Sequence, residues 1–440
     1  MTSTVDSSSG GLVKTRLAVM MFLQYAIWGA WLPILYPFLM NHRGFSLDET
    51  GMVLAAGAVG AIIGPFIAGQ LADRTFASER LLGVSHLLGA VLVWFLATAT
   101  TFPVILALSL LYGLIYAPTL ALTNSLAFHH LSNPDKHFGP VRSWGTIGWI
   151  AAGIGVGQLL LRLHTPAGGS LEEIAAAQNA GRADAFTMSA ILGVIMGIYC
   201  FTLPHTPPVT KPQQRSAWSQ ALREIRLQPL ITLFFIAVPI SIVHQFYFVH
   251  ASEFLTGIQN ASANAGAIAS KMNQIFGVGG GGLMTIGQMA EFAVLALMPF
   301  LVRRVSRKSL LAVGIAAYAV RMAVFAYVPS FEPVLAAIAL HGLCFGCFIF
   351  VAFMVVDENT SSGVRATAQN LFNLVIIGIG IIVGSWFSTS VAGRFASEPD
   401  GTLNYTTLFS IPMWIALGCL ALHLIFFRGG RRNAPQPAGR

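Results

Sequence analysis

The chain has 440 residues, of which 55% are hydrophobic and only 10% are charged, and its formal net charge is +8. A soluble protein carries about 25% charged residues, so most of the surface of this protein must face an apolar environment. Since one membrane span takes about 20 residues, the chain accommodates about a dozen spans joined by short loops, which excludes a soluble catalytic domain.

The N-terminal region predicts an uncleaved first span. Residues 1–13 are polar or small, and Lys14 and Arg16 precede an apolar stretch from Leu17 to Met40. This stretch is too long for the core of a signal peptide and lacks a small-residue cleavage site. The positive net charge is typical of a topology signal, so we expect no nucleic-acid partner.

Apolar runs separated by loop signals predict twelve membrane-spanning helices. The fold class is therefore an all-α polytopic membrane protein. The predicted spans cover residues 15–40, 49–71, 81–100, 103–128, 142–163, 185–204, 229–254, 284–302, 308–328, 332–356, 364–392 and 406–427.

The basic residues are unevenly distributed between the two sides of the membrane. With twelve spans, 19 of the 25 Lys and Arg fall in the tails and alternate loops that share one side. The opposite side holds five, namely Arg43, Arg162, Arg182, Lys271 and Arg394. Because Lys and Arg concentrate in cytoplasmic loops, both termini are predicted to be cytoplasmic.

Matching features in the two halves of the chain indicate an internal repeat. Charged pairs follow the second span at 73–74 and the eighth at 303–304, and a Gly-x-x-Arg or Gly-Val-Arg run opens the fifth span at 139–142 and the eleventh at 362–365. Duplicated six-helix units leave such correspondences.

These features predict four segments. They are an N-terminal six-helix half (1–204), a cytoplasmic linker (205–228), a C-terminal six-helix half (229–427) and a cytoplasmic tail (428–440).

Several motifs resemble those of the major facilitator superfamily. Gly69-Gln-Leu-Ala-Asp73-Arg74 follows the second span, where that superfamily has its loop signature. A closer resemblance, to that superfamily's nucleoside:proton symporters (the bacterial nucleoside permeases), covers nearly the whole chain. The residues that carry it lie at 22–31, 116–124, 142–149, 287–291 and 364–369, of which Arg142-Ser-Trp-Gly-Thr146-Ile-Gly-Trp149 is the most specific.

The resemblance implies a major facilitator fold with two six-helix halves that alternate access to a central site. It further implies nucleoside import by proton symport across the bacterial inner membrane, with nucleoside, protons and the lipid bilayer as partners and with no cofactor and no metal. Gly69, Asp73 and Arg74 would form a gating loop. Nothing in the sequence indicates a protein partner.

Glu291 is the only carboxylate placed deep inside a predicted span. An ionised carboxylate in hydrocarbon costs at least about 2.5 kcal/mol, so such a group is kept by pairing, by access to water or by staying protonated. Those conditions suit a proton carrier. Glu291 is therefore the predicted proton-coupling residue, and Gln288, three residues earlier, lies on the same helix face.

Arg142 begins the fifth span, with Thr146 and Trp149 one and two turns deeper. The resemblance places these three side chains in the central cavity, where a guanidinium fork suits carbonyl and ribose oxygens. We expect Arg142 also to balance the charge of Glu291. Arg321, in the ninth span, matches no motif and is expected to be structural or to snorkel.

The seventh and tenth spans supply further predicted substrate-binding residues. Gln245 follows His244 and precedes aromatic residues 246–248, and the tenth span carries His341 and Phe345. Aromatic rings stack on nucleobases, and amides bind their polar edges.

One position departs from the family pattern. The permeases commonly carry a carboxylate after the aromatic residue of the tenth span, where this chain has Gly346. Glu291 would then carry the proton alone, or His244, His250 or His341 would share it. The departure also keeps open a proton-coupled carrier for another polar solute, such as a sugar.

A polytopic membrane enzyme or sensor is the alternative of a different class. It would need a clustered nucleophile, a metal site or a soluble output domain, and the sequence contains no H-E-x-x-H, G-x-S-x-G or Walker motif. A non-enzymatic transporter is therefore predicted.

Overall fold

The computed structural model describes residues 6–74, 76–207, 218–262, 266–361 and 363–428. This part of the chain forms twelve long helices, joined by loops and by three short helices (Leu171–Gly181, Trp218–Ile225 and Ala267–Phe276). The long helices are α1 (Gly11–His42), α2 (Leu47–Arg74), α3 (Ser78–Thr98), α4 (Phe102–His130), α5 (Pro134–Leu163), α6 (Ala183–Cys200), α7 (Leu230–Ser262), α8 (Gly281–Arg304), α9 (Arg307–Tyr327), α10 (Phe331–Glu358), α11 (Thr367–Gly393) and α12 (Tyr405–Phe426).

These helices confirm the predicted all-α polytopic fold. Within the described residues, eleven helices are long and apolar enough to cross a membrane, and α2 is a further helix of 28 residues. In a bilayer a helix satisfies every backbone donor and acceptor internally, which is why long apolar runs become helices.

Several helices extend beyond the predicted spans. Helix α5 begins at Pro134, eight residues before the predicted boundary, because the Asn133 side chain caps it by accepting the N–H of Lys136. Pro134 at the first turn sets a helical φ where no N–H partner is needed. The polar first turns of α5 therefore precede its apolar run.

The chain folds as two compact units. The first unit comprises Met1–Lys211 and Phe248–Gln288, and the second comprises Pro212–Tyr247 and Met289–Arg440. The segment 248–288, which holds the end of α7 and the start of α8, packs with the first six helices. The division of the chain into two six-helix halves, 1–204 and 229–427, with a linker at 205–228 stays a prediction.

Small residues set the helix spacing in the first unit. A Cβ at Gly148 of α5 would overlap the carbonyl oxygen of Phe22 on α1, and a Cβ at Gly60 of α2 would overlap the backbone of Gly113 on α4. Small residues permit such close approach between membrane helices. The tight α1–α5 contact brings the side chains of these two helices next to each other.

A glycine turn closes the segment 248–288 onto α5. Gly277, Gly279 and Gly280 all have positive φ, a conformation that suits glycine. The N–H of Val278 donates to the carbonyl oxygen of Gly157 at 3.1 Å, and the Gln259 amide bonds both the carbonyl of Gly277 and the N–H of Gly280.

In the second unit, the short helix Trp218–Ile225 docks on the loop before α11. The Glu224 carboxylate accepts hydrogen bonds from the N–H of Ser361 at 2.9 Å and from its hydroxyl at 2.7 Å. Partial burial raises the pKa of Glu224, but the hydrogen bonds from Ser361 and Gln220 outweigh it, so the pKa lies below its usual value.

Candidate functional site

In the first unit, Arg142 stacks on an aromatic ring of the neighbouring helix α1. Its guanidinium stands 4.0 Å from the ring centroid of Tyr25 on α1, and the rings of Trp28 and Trp149 meet edge to face at 6.1 Å. Arg142 is partly exposed and is absent from the ion pairs that the described residues make. A cation held by a ring in this way keeps its donors available to a solute.

Thr146 lies between Arg142 and Trp149 on α5. The three residues are spaced four and three apart, so they share one face of the helix, and all three are partly exposed. The structure therefore brings these predicted residues together, while their role in binding stays a prediction.

A buried hydrogen-bond network in the first unit was not predicted. The Gln24 amide donates to the Thr119 hydroxyl at 2.8 Å, and its carbonyl oxygen lies 2.8 Å from His86 Nε2, which must donate to it. The Tyr116 hydroxyl donates to the backbone carbonyl of Gln24. The network joins α1, α3 and α4, and its signal in the sequence is a glutamine inside an apolar span.

In the second unit, Glu291 faces a histidine. Its side chain is 16% exposed, and its Oε2 lies 3.7 Å from Nε2 of His341, which is buried. Gly342 of α10 allows the two helices to approach closely here. A Cβ at this position would lie 2.5 Å from the carbonyl carbon of Ala290 on α8. His341 is thus adjacent to the predicted proton-coupling residue.

Arg321 lies in the same cluster, although the sequence places it outside every motif. It is fully buried, and its Nη1 lies 3.0 Å from His341 Nδ1. Its guanidinium stacks 4.2 Å from the ring centroid of Tyr247. Of the two roles expected of Arg321, structural or snorkelling, the second does not fit a side chain that is 0% exposed. The predicted charge balance between Arg142 and Glu291 stays a prediction.

The remaining predicted residues have different surroundings. Gln245 is buried, and its amide donates to the Ser385 hydroxyl on α11 at 3.0 Å. His244 lies beside the cluster, with Nδ1 2.7 Å from the Tyr318 hydroxyl. Gln288 is 6% exposed, and its Oε1 has no hydrogen-bond partner among the described residues. A buried acceptor in that state indicates a place for a water or a solute donor.

Phe345 and Gly346 lie on a π-helical turn of α10, Cys344–Phe350. Phe345 is partly exposed, whereas Gly346 is buried against α8. A Cβ at Gly346 would lie 2.5 Å from Cγ1 of Val294. A side chain at this position would therefore require Val294 on α8 to shift.

The predicted gating residues Gly69, Asp73 and Arg74 lie in the last turns of α2. Their side chains lie outside the described part of the structure, so this role stays a prediction.

Comparison with known proteins assigns the family. A sequence model described as Nucleoside H+ symporter matches residues 12–432. YegT of Escherichia coli (strain K12) is 30% identical over 433 residues, which cover 94% of this chain and 93% of that protein. The xanthosine permease of the same organism is 28% identical over 435 residues, or 96% of each chain.

The fold has a close counterpart among solved structures. The crystal structure of the nucleoside transporter NupG superposes with a TM-score of 0.78 at 23% identity, covering 95% of this chain and all of that one. This match confirms the major facilitator fold, and the sequence matches confirm the resemblance on which the site prediction was built. The chain belongs to the nucleoside H+ symporter family.

Proposed function

We propose that this protein imports nucleosides across the bacterial inner membrane by proton symport, through alternating access and without chemical catalysis. Both termini would lie in the cytoplasm, as the distribution of Lys and Arg predicts. The observation that carries the proposal is a carboxylate, Glu291, within a membrane-spanning helix of a nucleoside H+ symporter family member and beside a buried histidine.

The first unit supports binding of a nucleoside. Arg142 offers a planar fork of donors, which matches carbonyl and ribose oxygens. The ring of Tyr25 stacks on its guanidinium, and Trp28 and Trp149, which contact each other, provide further apolar faces on which a base can stack. An aromatic surface next to a cation therefore suits a solute that is both planar and polar.

The second unit supports proton binding. Glu291 is partly exposed, so its carboxyl can exchange protons with water that enters the cluster. A carboxylate inside a membrane span is by default a functional group because its burial is costly. Glu291 is therefore the residue that would take up and release the coupled proton.

Coupling requires that solute and proton favour the same conformational change. A ligand shifts an equilibrium only by the difference in its affinity for the two states, and the resulting coupling is reciprocal. Proton binding at Glu291 would thus raise the affinity for nucleoside, and nucleoside would raise the affinity for the proton.

Gly346 supports a second candidate, a proton-coupled carrier of another polar solute such as a sugar. Gly346 has no side chain and lies against Val294, so this position supplies no acid that could contact the solute. Loss of that contact changes which hydroxyl or amide groups the cavity selects.

Uptake of radiolabelled solutes into proteoliposomes tests both candidates. We expect purine or pyrimidine nucleosides to accumulate when the outside is more acidic, and we expect a protonophore to abolish accumulation. Xylose in parallel vesicles provides the sugar arm. Uptake of xylose without any nucleoside uptake would replace the first candidate by the second, and the absence of any pH effect would contradict symport.

A further inference from the structure

Arg321 is a buried cation in the middle of the second unit. Its side chain is 0% exposed, and its Nε and Nη2 have no hydrogen-bond partner among the described residues. Burying a charge is costly unless neighbouring groups compensate. The neighbours of Arg321 should therefore reveal what the charge does.

The contact with His341 fixes the tautomer of the imidazole. A guanidinium has only donors, so in the 3.0 Å contact Arg321 Nη1 donates and His341 Nδ1 accepts. A neutral imidazole that accepts at Nδ1 carries its proton on Nε2. That nitrogen is the one that lies 3.7 Å from Glu291 Oε2.

Aromatic rings hold the guanidinium in this place. Its Cζ lies 4.2 Å from the ring centroid of Tyr247 and 5.3 Å from that of Tyr318, and cation–π contacts are strongest where the cation is desolvated. The titratable groups that face the cluster are His244 and Tyr247 from α7, Glu291 from α8, Tyr318 from α9, and His341 and Cys344 from α10.

We infer that Arg321 is the positioning residue of the proton site, acting on Glu291 through His341. It holds His341 in the tautomer whose Nε2–H faces the carboxylate, and it supplies the positive charge against which Glu291 releases its proton. The inference rests on the proposed function, because it takes Glu291 as the carrier of the coupled proton.

The proton step is a simple transfer. The O–H bond of the Glu291 carboxyl breaks, the proton passes to water, and the carboxylate that remains faces the Nε2–H of His341. Arg321 keeps its protons throughout, since a guanidinium does not titrate in proteins. His341 is not a second carrier, because its Nδ1 lone pair is occupied by Arg321. Of the three histidines that could share the proton with Glu291, this argument removes His341 and leaves His244 and His250.

The test is the pH profile of solute uptake in proteoliposomes, with Arg321→Gln, Arg321→Lys and His341→Leu. Without the cation, the negatively charged form of Glu291 loses a favourable charge close by, so the uptake profile of Arg321→Gln moves to higher pH by about one unit. His341→Leu removes the Nε2–H that faces the carboxylate and moves the profile in the same direction. Arg321→Lys keeps the charge and restores most of the wild-type profile. Solute exchange at equal pH, which needs no net proton release, is retained.

The control is Arg304→Gln, which removes an arginine whose guanidinium lies 4.1 Å from the ring of Phe300 at the end of α8. Its profile stays at the wild-type position. A profile that Arg321→Gln leaves in place, or that Arg321→Lys disturbs as much as Arg321→Gln, overturns the inference. If Arg321→Gln does not insert stably, Arg321→Lys and His341→Leu decide alone, and an unmoved profile in His341→Leu overturns it.

The two proposals fail in different ways. A wild-type protein that transports another solute in a pH-dependent manner refutes nucleoside import, and the same variants then test Arg321 with that solute. A wild-type protein whose uptake ignores pH refutes both.

Discussion

The two units treat buried polarity differently. In the first unit, Gln24, His86 and Thr119 meet in hydrogen bonds of 2.8 Å, and the nearby cation, Arg142, is partly exposed. In the second unit, the cation Arg321 is fully buried and the carboxylate Glu291 is 16% exposed. The partly exposed cation that can bind a solute, Arg142, thus lies in one unit. The carboxyl group whose charge can change, Glu291, lies in the other.

The difference suggests a division of labour. A satisfied neutral network rigidifies its surroundings, which suits a surface that must present donors and rings in a fixed geometry. A carboxylate near a buried cation responds strongly to proton binding, since the interaction is poorly screened. Substitutions in the first unit should therefore change solute affinity, and substitutions in the second unit should change the coupling of transport to protons.

The largest expected effect is in the second unit. Glu291→Gln removes the titrating group and keeps the shape of the side chain, so we expect accumulation against a gradient to be lost while nucleoside exchange continues. Radiolabelled uptake with and without a pH gradient measures both. Glu358→Gln is the matched control, because Glu358 forms a partly exposed ion pair with Arg307 at 2.7 Å and such pairs are worth about 0–1 kcal/mol. Concentrative uptake by Glu291→Gln at the wild-type level would contradict the division.

Arg142→Gln should weaken solute binding, whereas Glu291→Gln should remove proton coupling. Loss of a hydrogen bond from a charged group, worth about 1.5–3 kcal/mol, should raise KM by about 10-fold or more. The pH profile of the same variant tests the expected charge balance between Arg142 and Glu291, which a shifted profile would support. Arg162→Gln, which removes an arginine at the other end of α5 that bonds Gln158 at 3.1 Å, serves as the control. An unchanged KM in Arg142→Gln would refute its place in the solute site.

The rigidity of the first unit can be tested at the α1–α5 contact. Gly148→Ala places a methyl group against the carbonyl oxygen of Phe22, and such overpacking costs about 1–3 kcal/mol. Gly155→Ala, on the same helix, meets only Met188 at 3.9 Å and should cost little. Thermal unfolding in detergent compares the two variants. Equal melting temperatures would show that the close contact does not set the stability.

Glu224 provides the smallest effect and a second control for pH. Its pKa is lowered in the folded protein, so its bonds to Ser361 stabilise the fold above the unfolded value of about 4.3. This contribution is lost as the pH falls through the lower folded value. We expect Glu224→Gln to lower the melting temperature slightly at pH 7 and not at acidic pH. A shift of the transport profile in this variant would show that Glu291 is not the only carboxylate behind it.

The spans could be predicted from the sequence, and so could the positions of the candidate site residues along their helices, while the roles of these residues stay predictions. Glu291 is conspicuous because a carboxylate inside an apolar run has few explanations, and Arg142, Thr146 and Trp149 share a helix face by spacing alone. Both signals depend only on the residues of a single helix. They can therefore be recognised in the sequence without any knowledge of how the helices pack.

Arg321 could not be placed in this way. Its role depends on α9 lying beside α7 and α10, and the lateral neighbours of a helix leave no mark in its own periodicity. Gln24 was overlooked for the same reason, since its partners His86 and Thr119 are on other helices. The early start of α5 depends on a cap by Asn133 outside the apolar run.

The most direct test of the account measures protons and nucleoside together. Proteoliposomes that contain a trapped pH indicator receive nucleoside from outside, with no imposed gradient. The account predicts that the lumen of wild-type vesicles acidifies as nucleoside enters, whereas Glu291→Gln vesicles exchange nucleoside without acidification. Nucleoside entry without acidification in the wild type, or equal acidification in both proteins, would contradict it.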